Sequence, residues 1–515
     1  MKQTALANLI SFNSSIRLGY AKYVFIFIAG LLAPFGFAPF HIPGLTLLSM
    51  SFLYASLQEC SPKQSIFMGF IYGIGYFGFG VSWVIVSIHD YGQLNYVIAG
   101  LVTLIFIMYL SLFPALVTYL FKLLELKEKK LLSAILFSTL WCLSEYSRSS
   151  LFSGFPWLLV GTPLIDTPIK YIAPVLGIYG LSLLCVFIAT LLTLAMSQNT
   201  KKRFFYLVAV VLILVSPTVC EHISWSKIKH TPITVGAIQA NLSMRDKWDE
   251  TLFWNLLKYY ENTINKLLGK QLIILPESAI PLPASYLDKY LAKLNQKALK
   301  AHSAIMLGIL QPTNENETHF YNSIITLGQA KGTKLKHHLV PFGEYIPKPL
   351  VTLNQWLGLP EPNLVPGKEK PLIRIANHPI ASLICYEIAY PKLLREQMPA
   401  AQWIVSISDN GWFGHSLASY QQLQMAQVLS LLTGRYQVVV NNDGLSSIID
   451  AHGNIVESLS PFSSGLLQGS IYPADGLTPW IVWCEYPVLI FCTVFLIFML
   501  FIKFIFLRIT NVSAT

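Results

Sequence analysis

Ala381-Ser-Leu-Ile-Cys-Tyr-Glu-Ile388 reads as a short buried strand, residues 382–384, running into a turn at Cys385, Tyr386 and Glu387. An apolar run this short is the pattern of a strand in a sheet covered on both faces. Cys385 falls where the strand ends, a place from which side chains can face a cleft. It is also the one cysteine between Cys220 and Cys484. A free cysteine is by itself as good a small core residue as a reactive one. The rest of the chain decides between the two.

The chain has 515 residues, of which 54% are hydrophobic and 12% charged, with a mean hydropathy of +0.53. Soluble domains carry about 25% charged residues. The composition is that of an integral membrane protein with room for a soluble domain. The net charge of +10 sets orientation if the positives sit in short loops beside apolar spans, and then implies no nucleic acid. The seven cysteines form neither a disulfide framework nor a metal-ligand spacing. The first apolar run lacks a small-residue cleavage site and is expected to stay as a helix.

A bilayer span needs about 20 mostly apolar residues. Residues 23–37, 43–57, 66–88, 96–123, 131–147, 171–196 and 204–219 are candidates, and an eighth lies at 480–507. Lys2, Arg17, Lys22, Lys63, Lys127, Lys129, Lys130, Lys201, Lys202, Arg203, Lys503 and Arg508 all fall on one side of such an arrangement. The positive-inside rule then predicts cytoplasmic termini and an extracytoplasmic segment between the last two spans. The expected division is 1–220 for seven transmembrane helices, 221–479 for one large domain outside the membrane, and 480–515 for the last helix and tail. Glu145 and Arg148 are expected either to pair near the interface or to floor a lipid-entry cleft. Trp83, Trp157 and Trp480 fit interfacial anchors.

Within 221–479, strand-like stretches at 233–238, 272–275, 304–310, 323–327, 380–384, 403–407, 437–440 and 447–449 alternate with helix-like ones at 250–268, 284–302, 391–397 and 419–432. This alternation predicts an α/β layered fold. Two stretches stand out beside the cysteine. Leu272-Ile-Ile-Leu-Pro-Glu-Ser278 places Glu277 just past a buried strand, and Lys334-Leu-Lys-His-His-Leu-Val-Pro-Phe-Gly-Glu344 places Lys336 beside an apolar turn. Each alone could be a solvated strand end. With Cys385 they supply three roles that one reaction needs. A thiol with a pKa of about 8.5 is mostly protonated at neutral pH. A carboxylate can take its proton, and an ammonium can stabilise the oxyanion that attack creates.

Pro276-Glu277, Lys336 with His338-Leu-Val-Pro-Phe-Gly-Glu344, and Cys385-Tyr-Glu387 resemble the Glu-Lys-Cys set of the nitrilase (carbon–nitrogen hydrolase) superfamily. Lys247-Trp-Asp-Glu250, Gly411-Trp-Phe-Gly414, Gly154-Phe-Pro-Trp157 and the segment 83–92 are similar to its membrane branch, the apolipoprotein N-acyltransferases. The resemblance implies about eight transmembrane helices and an αββα sandwich domain in the periplasm of a bacterial inner membrane. It also implies a phospholipid acyl donor, diacylglyceryl-cysteine apolipoproteins as acceptors, and a thioester on Cys385. Glu277 would be the base and Lys336 the oxyanion holder. Glu344 and Glu387 would position Lys336 and the thiol, Trp248 and Tyr386 would shape the acyl pocket, and Trp412 would be a further supporting residue. His337 and His338 are expected to be structural, because the base is already assigned. No cofactor or metal is implied, and a monomer is expected.

The chain departs from that branch in places. Ser408-Asp-Asn-Gly-Trp412 replaces the order Ser-Asn-Asp-Ala-Trp, Leu432 and Val439 stand where Glu and Arg are expected, and Gln422 stands for His. Three readings follow: the acyltransferase, a membrane-anchored amidase or divergent paralogue with another acceptor, and a non-catalytic lipoprotein-binding protein or transporter. Eight spans exceed what anchoring an amidase requires. Transport would favour inverted repeats, and the sequence has none. A bridge between Cys220 and Cys484 is not expected, and Cys385 must stay a free thiol to act.

Overall fold

The computed structural model describes residues 21–512, apart from 93, 198, 314–317, 357–360, 369–371 and 376–377. The expected loop charges Lys2 and Arg17 lie outside the described residues. Four helices among these residues are long and apolar enough to cross a membrane: Tyr96–Leu124, Pro168–Met196, Thr200–His222 and Tyr486–Ile505. Pro62–Gly80 and Val84–Tyr91 make a fifth if their 65° bend is one broken span. The stretch expected as one continuous span over 66–88 is therefore two pieces. The other three expected spans correspond to Ala21–Gly36, Pro43–Ser56 and Lys130–Arg148, which are shorter or more polar.

Small residues let the bundle close. A Cβ on Gly69 would stand 2.4 Å from the Pro114 carbonyl oxygen, and one on Gly73 would stand 2.7 Å from Ser111 Cα. The Pro62–Gly80 and Tyr96–Leu124 helices thus touch backbone to backbone, the usual solution where lipid removes the hydrophobic drive between helices. Glu145 and Arg148 are both buried, and both serve the loop that follows them. Glu145 Oε1 accepts from Trp141 Nε1 and from the Val160 amide. Arg148 donates to the carbonyls of Phe155 and Trp157, each at 2.7 Å. No ion pair between the two is found among the described residues, so the expected pairing is corrected.

The interfacial reading of the three tryptophans is also corrected. Trp83, Trp157 and Trp480 are all buried. Their indole N–H groups have protein partners: Gln421 for Trp83 and Trp157, and Glu485 for Trp480. An amphipathic ring gains nothing from the membrane interface once its one donor is satisfied inside.

The α/β part is two stacked sheets. One runs Gly465–Ile471, Ile233–Gln239, Leu272–Ile274, Ala304–Pro312, Phe320–Gly328 and Lys334–Leu335, with Ile280–Pro283 paired to Ala304–Pro312. The other runs Ile455–Ser458, Ser447–Ile449, Gln437–Asn441, Trp403–Ser408, His378–Ile384, Ile373–Ile375 and Ala330–Lys331. Side chains alternate as the pleat requires. Val235, Ile274, Met306, Ile380, Ile384 and Val405 fill the space between the sheets. Ile273, Ile305 and Leu307 face outward onto the helices Phe253–Leu267 and Asp288–Lys300. Ala381, Leu383 and Ile404 face the helix Leu417–Thr433, and there the core continues without a break into the helical bundle. The second outer layer of the sandwich is thus shared with the membrane part.

Candidate active site

Parallel strands bring the chemistry to one place. Leu272–Ile274 is parallel to both of its neighbours, and so is Trp403–Ser408, whose neighbours are His378–Ile384 and Gln437–Asn441. Glu277, Cys385, Asp409 and Asn442 follow the carboxyl ends of these strands, the customary location of α/β sites. Cys385 is the first residue after its strand and has φ +52°. A left-handed non-glycine residue costs about 1–3 kcal/mol and persists only where its surroundings fix it. Here Glu387 Oε2 accepts the Ile384 amide at 2.9 Å, and Gln422 Nε2 donates to the Cys385 carbonyl at 3.4 Å. The turn aims the thiol back between the sheets.

Lys336 is 1% exposed. Its backbone is tied on both sides, its N–H to Asn322 O and its carbonyl to Gly367 N. Its ammonium meets Glu344 Oε1 at 2.7 Å and Glu277 Oε1 at 3.1 Å. Burial alone would lower the pKa of this group. Glu277 and Glu344 outweigh it and hold Lys336 well above the ordinary lysine value. The ammonium therefore stays charged in a water-poor site, where its field is least screened.

Glu277 is 5% exposed and is held from three sides. Oε1 takes Asn322 Nδ2 at 2.7 Å as well as Lys336, and Oε2 takes the Asp409 amide at 3.0 Å. Its carbonyl accepts Lys247 Nζ at 3.2 Å, and Lys247 forms a fully buried ion pair with Asp409. The Cys385 thiol also hydrogen-bonds Glu277. Burial first, then the Glu277 charge, pushes that thiol well above its usual pKa, against an opposing pull from Lys336. At rest the sulfur keeps its proton, with the carboxylate in place to take it.

The structure thus brings together six of the residues singled out in the sequence. Glu277, Lys336, Cys385 and Glu344 form one contact network. Glu387 is 0% exposed and accepts the amides of His337 and His338 besides that of Ile384. It ties the Lys336 loop to the Cys385 turn. Tyr386 is buried and reaches the Gly154 carbonyl of the membrane part at 3.3 Å. Trp248 and Trp412 stand apart, 47% and 39% exposed. Trp412 packs edge-on to Tyr91, and its carbonyl accepts Ser87 Oγ at 2.7 Å. Leu432 and Val439 lie in one apolar cluster.

Residues 29–191 match the apolipoprotein N-acyltransferase N-terminal domain, and residues 234–476 match the carbon-nitrogen hydrolase domain. The apolipoprotein N-acyltransferase of Coxiella burnetii is 36% identical over 482 residues, covering 92% of this chain and 99% of that protein. The chain belongs to the apolipoprotein N-acyltransferase family. The Azotobacter vinelandii member is 34% identical over 92% of this chain and 93% of its own length. Among solved structures, the carbon–nitrogen hydrolase of Helicobacter pylori G27 aligns with a TM-score of 0.36 and 13% identity, over 47% of this chain and 89% of that one.

Sequence reasoning missed several members of the site of this family member. Asn322, which bridges Glu277 and Glu344, is a lone polar residue inside an ordinary strand and gives no signal. Lys247 stood in a matched motif and Asp409 in a stretch that departs from the family, and nothing in their spacing showed that they pair. Gln421 Oε1 accepts from both the Trp83 and Trp157 indoles, and its Nε2 donates to the Gly80 carbonyl. It looked like one more glutamine in a helix.

Proposed function

We propose that this chain is a multi-pass enzyme of the bacterial cytoplasmic membrane. It moves an acyl chain from a phospholipid to the N-terminal amino group of a diacylglyceryl-cysteine apolipoprotein, through a thioester on Cys385. The observation that carries this reading is the buried Glu277–Lys336–Cys385 network, seated on an apolar helical bundle whose core is continuous with the catalytic domain. Membership of the family supplies the acceptor.

The chemistry follows from the contacts. Glu277 takes the Cys385 proton as sulfur attacks the ester carbonyl. The oxyanion that forms is held by Lys336, a preorganised cation that needs no reorganisation at that moment. Collapse expels the lysophospholipid alkoxide, which recovers the proton from Glu277. The thioester is then attacked by the acceptor amine, and Glu277 passes an amine proton to the departing sulfur. Glu344 keeps Lys336 aimed, and Glu387 keeps the turn at Cys385 closed. The loop charges support eight spans, cytoplasmic termini and a periplasmic catalytic domain, and a single chain carries every group the reaction uses.

The test is a product analysis. The purified protein, given phospholipid and an S-diacylglyceryl-cysteine peptide, should yield N-acylated peptide and lysophospholipid in equal amounts. Free fatty acid with unmodified peptide would mark a hydrolase instead.

A further inference from the structure

The proposed reaction has a proton to dispose of. An α-amino group with a pKa of about 7.7–8.0 is mostly ammonium at neutral pH. Ester plus ammonium gives amide, alcohol and one free proton. Glu277 cannot remove it, because each proton that Glu277 takes is returned, first to the lysophospholipid and then to Cys385. A second acceptor is needed that is neutral at rest and has an open lone pair.

Around Cys385 the charged groups are already committed. Glu344 binds Lys336 and the Val340 amide. Glu387 binds three amides and Lys334. Lys336 is a cation between two carboxylates. His338 differs. Its ring lies 3.7 Å from the Tyr390 ring and 5.7 Å from the ring of Tyr386, the direct neighbour of the nucleophile. The Ser153 backbone lies beside the ring, and its carbonyl accepts Tyr390 Oη. Its Nε2 is buried and has no partner among the described residues, although the residue as a whole is only half-buried.

Resting on the thioester reading, we infer that His338 Nε2 is the proton acceptor for the incoming acceptor ammonium. The ammonium gives one N–H proton to Nε2, and the freed lone pair attacks the thioester carbonyl. The second N–H proton goes through Glu277 to the Cys385 sulfur as the C–S bond breaks. The imidazolium then returns its proton to solvent, leaving the ring neutral for the next acceptor. The groups facing His338 are Glu387, Lys336, Tyr386 and Tyr390. Burial is the largest influence and lowers its pKa below that of ordinary imidazole, so it is neutral when the ammonium arrives and sheds the proton readily.

The two half-reactions of His338→Gln, measured separately, test this. Loading of Cys385 from phosphatidylethanolamine, in which His338 takes no part, should stay within about twofold of the parent protein. Transfer from the loaded thioester to an S-diacylglyceryl-cysteine peptide at pH 7 should fall about 10²-fold, the lower range for losing a general base. The deficit should shrink as pH rises and the peptide amine deprotonates in solution. Hydroxylamine, whose nitrogen is unprotonated at neutral pH, should unload both proteins equally fast. An equal loss in both half-reactions, or an equal loss with hydroxylamine, would show a structural role and overturn the inference, as would unchanged peptide transfer. His338→Asn, smaller and also neutral, repeats the measurement if the glutamine variant loads poorly; failure of both to load also rejects it. A parent protein that forms no thioester on Cys385 would fail the functional reading itself, before His338 enters.

Discussion

Cys385 combines a left-handed backbone with a thiol that is neutral at rest. The two belong together. The turn places sulfur where Glu277 can reach it, and the same carboxylate, together with burial, keeps the proton on until attack. The proposed catalysis therefore needs no standing thiolate, while a simple alkylating agent does. The sign is fixed by the direction of the shift. Because the thiol titrates well above its ordinary range, its ionised fraction at neutral pH is small and grows about tenfold per pH unit. Iodoacetamide labelling of Cys385 should climb in that way from pH 7 to 9 with no plateau, while acyl transfer stays far flatter. A labelling plateau below pH 8 would mean a thiolate stabilised by Lys336 and a different division of labour.

At the scale of the strand, Gly308 shows how the sheet sets Glu277, the proposed base. A Cβ there would stand 2.3 Å from the Pro276 carbonyl oxygen and 2.7 Å from Glu277 Cα. Backbone cannot yield as a flexible side chain does, so Gly308→Ala must displace Glu277. A misplacement of about 1 Å can cost 10²-fold in rate. We expect turnover to fall by about that factor with the circular dichroism spectrum unchanged; activity within twofold of the parent would show that Glu277 is not so held. Elements of this kind were legible in the sequence where a short run is apolar almost throughout. Ala304–Pro312, Phe320–Gly328 and His378–Ile384 all lie on expected strands. Gly465–Ile471, which closes the first sheet beside Ile233–Gln239, was not legible. Its glycines and its Gln468 and Ser470 break the apolar pattern, and its pairing with a distant strand leaves no local trace. Ile455–Ser458 is exposed throughout, so burial wrote nothing into it. The bend after Gly80 was hidden for a related reason. No proline marks it, and its partners, Trp412 for Ser87 and Gly411 for Tyr91, are more than 300 residues away. The triad was legible because its three residues occur in recognisable motifs, whereas Asn322 and the Lys247–Asp409 pair depend on contacts between elements.

For the molecule as a whole, the junction of the two parts is polar where most of the core is apolar. Gln421 accepts from the Trp157 indole at 2.6 Å and the Trp83 indole at 3.2 Å, and donates to Gly80 at the bend. The next residue, Gln422, holds the Cys385 carbonyl. One helical turn thus touches both the membrane bundle and the nucleophile. Gln421→Leu keeps the volume but strands two buried indole donors and a carbonyl, each costing about 1–3 kcal/mol. It should lower transfer from bilayer phospholipid by tenfold or more, while iodoacetamide still labels Cys385 at the parent rate. Equal transfer would show that the junction is passive. The central claim is that Cys385 carries the acyl chain. Its most direct measurement is intact-protein mass spectrometry after incubation with phospholipid and no acceptor. The account predicts a mass increase of one acyl chain, mapped to the peptide containing Cys385, absent in Cys385→Ala, and discharged when the diacylglyceryl-cysteine peptide is added. An unmodified protein, or a Cys385→Ala variant that still transfers the chain, would contradict it.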